Sequence, residues 1–285
     1  MTVPPPPSSG PSAPDPYGSG QHGSAQHGSG PYGAASSPTG HPSPAGGPAP
    51  GGPAPGTELG ADLGAALRFA GQGLLRNAAA LLGAGALYLV LITVVTGLAV
   101  VAMVAIMVAM LEGAPPSNEL PAGVTLVIIA LSFVIALLAS VIGALWQSGA
   151  AQAGGVIAEG GRPSFRQALI GVGRVVVTAV LVLVIVMIGS VLLYLPGLVA
   201  AVLLFYAIPA AVRGASPSAA LRESVATARA NLGTTIVGFL ITMVASYVGS
   251  MILIGVIAAI PFMMLFQIAL YERINGRALP EPARG

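Results

Sequence analysis

Cysteine is absent from all 285 residues, and so is lysine: the 11 basic side chains are all arginine. Without cysteine there is no disulfide framework, no thiolate metal site and no catalytic thiol. Charge of either sign is scarce. Only 7% of residues are charged and 55% are hydrophobic, whereas a soluble domain carries roughly a quarter charged residues. That is too little charge to cover a water-facing surface, and it points to lipid as the solvent. A net charge of +2, with no run of basic residues interleaved with aromatics, argues against nucleic acid as a partner. The missing lysine accompanies abundant Ala, Gly and Pro, and reads as the codon bias of a GC-rich genome rather than as chemistry.

Two regimes follow along the chain. Residues 1–56 hold 15 of the 25 prolines, one acidic residue (Asp15) and no arginine. They include Pro4-Pro5-Pro6-Pro7, a doubled Gln-His-Gly-Ser at Gln21 and Gln26, and a doubled Pro-Tyr-Gly at Pro16 and Pro31. So few large apolar residues cannot offset the cost of ordering the backbone, roughly 1–2 kcal/mol per residue. The stretch is expected to be disordered, with polyproline-like local stiffness. It has no apolar core with a basic lead-in, so it does not read as a signal peptide. Three roles are open to it: a solvated entropic bristle, bait for an aromatic groove on a protein partner, or a weak metal site. His22, His27 and His41 are too far apart to share a helix face, which disfavours the metal.

From Leu59 the chain is almost continuously apolar, and a span needs about 20 such residues to cross about 30 Å of hydrocarbon. The first run is Ala78–Leu111; a polar loop, residues 112–121, separates it from a second at about Val124–Trp146. Val175–Val212 and Thr234–Tyr271 are 38 residues each. A 38-residue helix would be about 57 Å long, nearly twice the hydrocarbon core. Each run is therefore expected to fold back. The first has Tyr194-Leu195-Pro196-Gly197 for its turn, where Pro breaks the helix and Gly permits reversal. The second is expected to turn near Gly249–Gly255. Counted this way the chain has six spans. Every arginine between Arg68 and Arg284 then falls on one side, and the loop at Glu112 and Glu119 on the other. The positive-inside rule puts both termini in the cytoplasm. Trp146 and Tyr271 fall at inner boundaries, Tyr194 and Tyr247 near outer ones, as an aromatic belt would place them.

Each hairpin is preceded by a short amphipathic segment. Leu63, Leu67, Ala70 and Leu74 recur at helical spacing before the first, and Leu221, Val225, Ala228 and Leu232 before the third. Ala66-Leu67-Arg68 with Asn77 matches Ala220-Leu221-Arg222 with Asn231 at identical spacing. Pro163-Ser164 and Pro217-Ser218 read as helix starts with Ser as the cap. The expected fold is thus all-α: a membrane bundle of three hairpins, each led by an interfacial helix, over residues 57–279. A disordered tail, residues 1–56, precedes it and a short tail, residues 280–285, follows. Arg68, Arg76, Arg166, Arg174, Arg222 and Arg229 are candidate contacts for anionic lipid, although an arginine there also serves topology alone. Pro209 and Pro261 are candidate helix kinks. Ala139/Gly143, Ala245/Gly249 and Ser246/Ser250 are small pairs suited to close helix approach. Gly154-Gly155 and Gly160-Gly161 read as loop glycines.

No Asp, Glu, Lys, Arg or His lies between the expected span ends, which argues against a proton-coupled pump. No catalytic, cofactor or metal site is expected. Leu204-Phe205-Tyr206-Ala207-Ile208-Pro209, then Ala220-Leu221-Arg222-Glu223-Ser224, Arg229-Ala230-Asn231 and the exit Tyr271-Glu272-Arg273 with Arg277, resemble a bacterial membrane family. It is the membrane domain found beside some glycerophosphoryl diester phosphodiesterases, and the stand-alone proline- and glycine-rich transmembrane proteins of actinobacteria. The resemblance covers about residues 59–280 and implies a multi-helix membrane domain. It does not carry over phosphodiesterase chemistry, which belongs to a separate soluble barrel. The function expected is a non-enzymatic scaffold that recruits a partner through its tail; the alternative is a small permease or lipid-handling protein. Oligomeric state and ligand are not legible.

Overall fold

In the computed structural model, residues 53–112, 121–252 and 255–283 are described. The expectation of a disordered tail falls on residues that, apart from 53–56, lie outside this range. The described chain is helical in nine segments: α1 (Leu59–Arg76), α2 (Ala78–Leu111), α3 (Ala122–Ala158), α4 (Phe165–Leu169), α5 (Gly173–Leu203), α6 (Ala207–Val212), α7 (Pro217–Ala230), α8 (Leu232–Met251) and α9 (Gly255–Ile274). Five stretches are long and apolar enough to cross a membrane: Ala78–Leu111, Ala122–Ala158, Phe165–Val212, Leu232–Met251 and Gly255–Ile274.

Two asparagines join amphipathic helix to apolar helix in the same way. Asn77 ends α1 and opens α2; Asn231 ends α7 and opens α8. Each donates its backbone N–H and its Nδ2 to the carbonyl four residues back, Gly73 and Thr227 respectively, at 3.1–3.2 Å. One side chain thus satisfies a carbonyl that the helix end would leave bare. Asn275 repeats the device after α9, donating Nδ2 to Tyr271 O at 2.8 Å. The register match between residues 66–77 and 220–231 therefore has a geometric counterpart.

Leu63, Ala70 and Ala228 of the expected stripes are buried, whereas Ala66 and Gly73 on α1 and Ala220 and Ser224 on α7 take the places expected of Leu67, Leu74, Leu221 and Val225. On α1 the covered residues are Asp62, Leu63, Ala66, Phe69, Ala70 and Gly73; on α7 they are Ala220, Ser224 and Ala228. Leu67 and Leu232 are exposed. The reason is steric: the helices approach closely, so alanine and glycine face the partner and leucine flanks the contact. The apolar face of α1 packs along α9. The second amphipathic segment is only the five-residue α4, closed by a capping box between Ser164 and Gln167. For α7 the cap is Ser216, with Pro217 at the first helical position, where its missing N–H costs nothing; Ser218 is not the cap.

Helix α3 does not stop at Trp146. It continues to Ala158, so Gly154 and Gly155 are helical rather than loop glycines. A Cβ on Gly154 would stand 2.7 Å from Ile268 Cδ1, and one on Gly155 would collide with Val212. Their absent side chains let α9 and α6 pack against the α3 backbone. Gly160, with φ +79°, is a true loop glycine. Of the small pairs, Gly143 has nothing within 4 Å, whereas Gly249 lies against Ala259 Cβ, 2.5 Å from a built Cβ. Ser246 and Ser250 are exposed.

Within α5, Leu193 has extended backbone (φ −162°, ψ 95°). A Cβ on Gly189 would stand 2.8 Å from the Gly197 nitrogen, whereas in a straight helix those residues would be about 12 Å apart. The chain thus doubles back one residue earlier than the expected Tyr194 start, and Pro196 sits in the first turn of the returning arm. That arm ends at Leu203; Pro209 lies in the first turn of α6, after the break at Leu204–Tyr206, and Pro261 lies inside α9. Trp146 and Tyr271 are buried at 1% and 3% exposure rather than belt residues, while Tyr194 and Tyr247 are exposed. Trp146 stacks on Tyr88, ring centroids 5.9 Å apart, within the α2–α3–α9 contact.

Candidate functional site: a cross-linked polar base

Charged side chains converge where α1, the end of α3, α6, α7 and the end of α9 meet. Glu272, the last-turn carboxylate of α9, has 2% side-chain exposure. It accepts from Arg213 Nε at 2.5 Å and from Arg277. Arg213 reaches Glu159 as well, at 3.0 Å. On the other side of α9, Arg273 Nε donates to Asp62 Oδ1 of α1 at 2.8 Å. Asp62 Oδ1 also accepts the Gly56 N–H at 3.1 Å.

A tyrosine pair backs these ions. Tyr271 donates to Glu223 of α7, and the Arg277 guanidinium lies 5.4 Å from the Tyr271 ring centre. Burial pulls the Arg277 pKa down, but the hydrogen bond and charge of Glu272 prevail and the group stays above its ordinary value, a permanent cation. Tyr206 is 6.2 Å from the Tyr271 ring and is bonded to Thr235 at 3.3 Å. The break between α5 and α6 is tied to α7 by one hydroxyl: Ser224 donates to Leu203 O at 2.8 Å and accepts the Tyr206 N–H at 3.0 Å. Residues after α9 return along α1, where Arg76 donates to Pro282 O at 2.6 Å and pairs with Glu281, and Asn77 donates to Ala283 O at 3.2 Å.

The arginines singled out for lipid divide into two sets. Arg76 is engaged as described, and Arg174 of α5 donates to Ala211 O at 2.9 Å, capping the carbonyl end of α6. Arg68, Arg166, Arg222 and Arg229 are exposed and hold no hydrogen bond or ion pair among the described residues. Asp62 and Glu159 were not singled out from sequence, and Glu223 and Glu272 were named only within the motifs of the family resemblance, not as partners of the arginines. The available signal was a carboxylate on the apolar stripe of α1 and another wedged between Tyr271 and Arg273.

This arrangement joins helices. The two buried carboxylates, Asp62 and Glu272, each neutralise a guanidinium. Among the described residues no group of three or more His, Cys, Asp or Glu is placed to hold a metal ion.

An all-α bundle with long apolar helices and its ion pairs gathered at one end defines a multi-pass membrane protein. Comparison with known proteins adds kinship of limited extent. The chain is 29% identical over 114 residues to the uncharacterized protein Rv2560 of Mycobacterium tuberculosis and to the uncharacterized protein Mb2590 of Mycobacterium bovis. The matched stretch is 39% of this chain and 35% of each of those proteins, so the chain spans about a third of the relatives it matches. No family model matches the chain, and no solved structure does.

Proposed function

We propose that this protein is a non-enzymatic membrane scaffold of the bacterial plasma membrane, with its proline/glycine-rich tail as the recruiting element and the helical bundle as its anchor. The observation that carries this reading is the pairing within the base. The buried ions there are matched to one another, and the apolar helices carry no ionisable group between their ends. Such a base resists deformation rather than turning over a substrate.

In the same reading the apolar helices rise as three hairpins from a base on the cytoplasmic side, with both termini there. The free arginines Arg68, Arg166, Arg222 and Arg229 face anionic headgroups, each worth about 1 kcal/mol near the surface. The kinship with stand-alone proline- and glycine-rich transmembrane proteins belongs to this proposal too.

Affinity purification of the full chain and of a chain lacking residues 1–56 tests it. The expected result is a set of proteins enriched by the full chain and lost on deletion. Identical sets from both chains would refute recruitment through the tail. If the deletion also left any membrane-lipid phenotype of the knockout fully rescued, a lipid-handling role would replace the scaffold.

A further inference from the structure

We propose that the third hairpin, α8–α9, is re-entrant: it enters the cytoplasmic leaflet, turns back there, and presents its apolar end to the acyl chains of that leaflet instead of reaching the outer face. The inference rests on the reading that the base is cytoplasmic, and it divides three like-looking hairpins into two that cross and one that does not.

Two levels can be fixed where three helices touch. At the lower one, a Cβ on Gly73 of α1 would stand 3.4 Å from Leu265 of α9 and 3.6 Å from Ile157 of α3. At the upper one, a Cβ on Gly85 of α2 would stand 2.9 Å from both Ile257 of α9 and Trp146 of α3. Gly249 near the end of α8 meets Ala259, so α8 ends at the upper level as well. Ile257 is only two residues from the start of α9 at Gly255. Beyond the upper level α2 continues 26 residues to Leu111 and α3 continues 24 residues to Ala122, about 39 Å and 36 Å at 1.5 Å per residue. The first hairpin therefore overtops the third by more than the roughly 30 Å of a hydrocarbon core.

The charges say which part of that length is in the membrane. Arg76, three residues past Gly73, marks the lower level. Phe165, beside the exposed Arg166, lies 3.2 Å from a Cβ on Gly83, and a Cβ on Gly171 would stand 2.7 Å from Ser148 O, so α4 and the start of α5 mark the upper level. An exposed guanidinium does not sit in hydrocarbon. The inner boundary thus falls near the upper level, about 12 Å (eight residues of α9) above the lower one, and α9 begins only two residues beyond Ile257. The α8–α9 tip is then less than halfway across.

Above that boundary, α2, α3 and the outgoing arm of α5 (20 residues, Gly173–Leu192, about 30 Å) have the reach to cross. Composition agrees. Eight of the 20 residues of α8 are Gly, Ser or Thr, against five of 34 in α2. Val244, Tyr247, Val248 and Met251 near the tip are 57–69% exposed, an apolar end suited to acyl chains. Where α8 gives way to α9, the Gly255 N–H donates to Ile252 O at 2.6 Å, a backbone pairing that suits a reversal inside a membrane. The arginine distribution cannot distinguish the two readings, because a hairpin that turns back early returns to the side it left.

The absence of cysteine makes the test direct. Single-cysteine chains Ser117→Cys, Leu192→Cys, Ser250→Cys and Ser218→Cys are labelled with an impermeant thiol reagent in intact cells, and nitroxide depth is read at the same sites in vesicles. Ser117→Cys is expected to label from outside and Ser218→Cys only after permeabilisation. Ser250→Cys is expected to label on neither side, with its nitroxide in the inner leaflet and that at Leu192 near the outer headgroups. Tyr247→Cys duplicates the Ser250 position should that chain misfold. External labelling at position 250 as fast as at position 117, or equal depths at positions 250 and 192, would overturn the proposal. External labelling of Ser218→Cys would instead overturn the cytoplasmic placement of the base.

Discussion

Helix α3 passes through two surroundings within 37 residues. From Ala144 to Ala158 it is packed by α9, α6 and α4, and most of its side chains are buried. From Leu126 to Leu138 it exposes Leu126, Ile129, Phe133, Val134 and Leu138. The packed half is built of Gly and Ala; the bare half, of Leu, Ile, Val and Phe. In lipid there is no hydrophobic drive to bring helices together, so contact depends on surfaces that fit closely. Large apolar side chains mark where α3 meets lipid, and small ones mark where it meets protein. That inverts the rule for water-soluble cores, where the largest apolar residues lie inside.

Three substitutions test how deep that contrast runs. Glu272→Ala leaves Arg213 partly buried with only Glu159 to pair with, and removing one partner of a buried ion pair costs about 3–5 kcal/mol. The expected result is a large drop in the thermal midpoint in detergent, read from the single tryptophan, Trp146, whose environment lies in the packed half. An unchanged midpoint would mean the base does not hold the bundle together. Gly155→Leu drives a side chain into Val212 and is expected to cost about 1–3 kcal/mol by overpacking; a gain in stability would show that α3 and α6 are not in close contact there. Ile129→Ala, on the bare half, is expected to shift stability by less than about 0.5 kcal/mol. A loss as large as that from Gly155→Leu would place a protein partner, not lipid, on that face.

Much of the fold was legible, for identifiable reasons. Apolar runs are long-range compositional signals, so the reversals at Tyr194–Gly197 and Gly249–Gly255 were located within a residue or two of the break at Leu193 and the interval between α8 and α9. The Asn77/Asn231 register also survived, because a cap is a local device. The inner half of α3 was missed because Gly149, Gln152, Gly154 and Gly155 lower its apolar character, and the same residues that enable packing read as a loop. The apolar stripes on α1 and α7 were read correctly at Leu63, Ala70 and Ala228 and one step off at Leu67 and Leu221, because leucine outweighs alanine in any hydropathy pattern although here Ala66 and Ala220 are buried. Of the arginines in the ion pairs only Arg76 was a sequence candidate, and the pairings themselves were not legible. Asp62 and Arg273 are 211 residues apart in sequence, and no local pattern links them. The levels at which hairpins end are tertiary quantities; apolar length alone gives every hairpin the same reach.

The return of residues 277–283 onto α1 has a consequence for the order in which the molecule is made. Helix α1 leaves the ribosome early, carrying Asp62 on the face that will be buried. Its counter-ion, Arg273, is not synthesised until some two hundred residues later, and the Pro282 carbonyl that takes Arg76 comes later still. A nascent chain halted anywhere before α9 therefore holds a carboxylate and a guanidinium with no folded partner, and the inner end of the bundle stays open. Closure of the base therefore waits for α9 and the residues that follow it, and until they are made the charges of Asp62 and Arg76 stay unpaired.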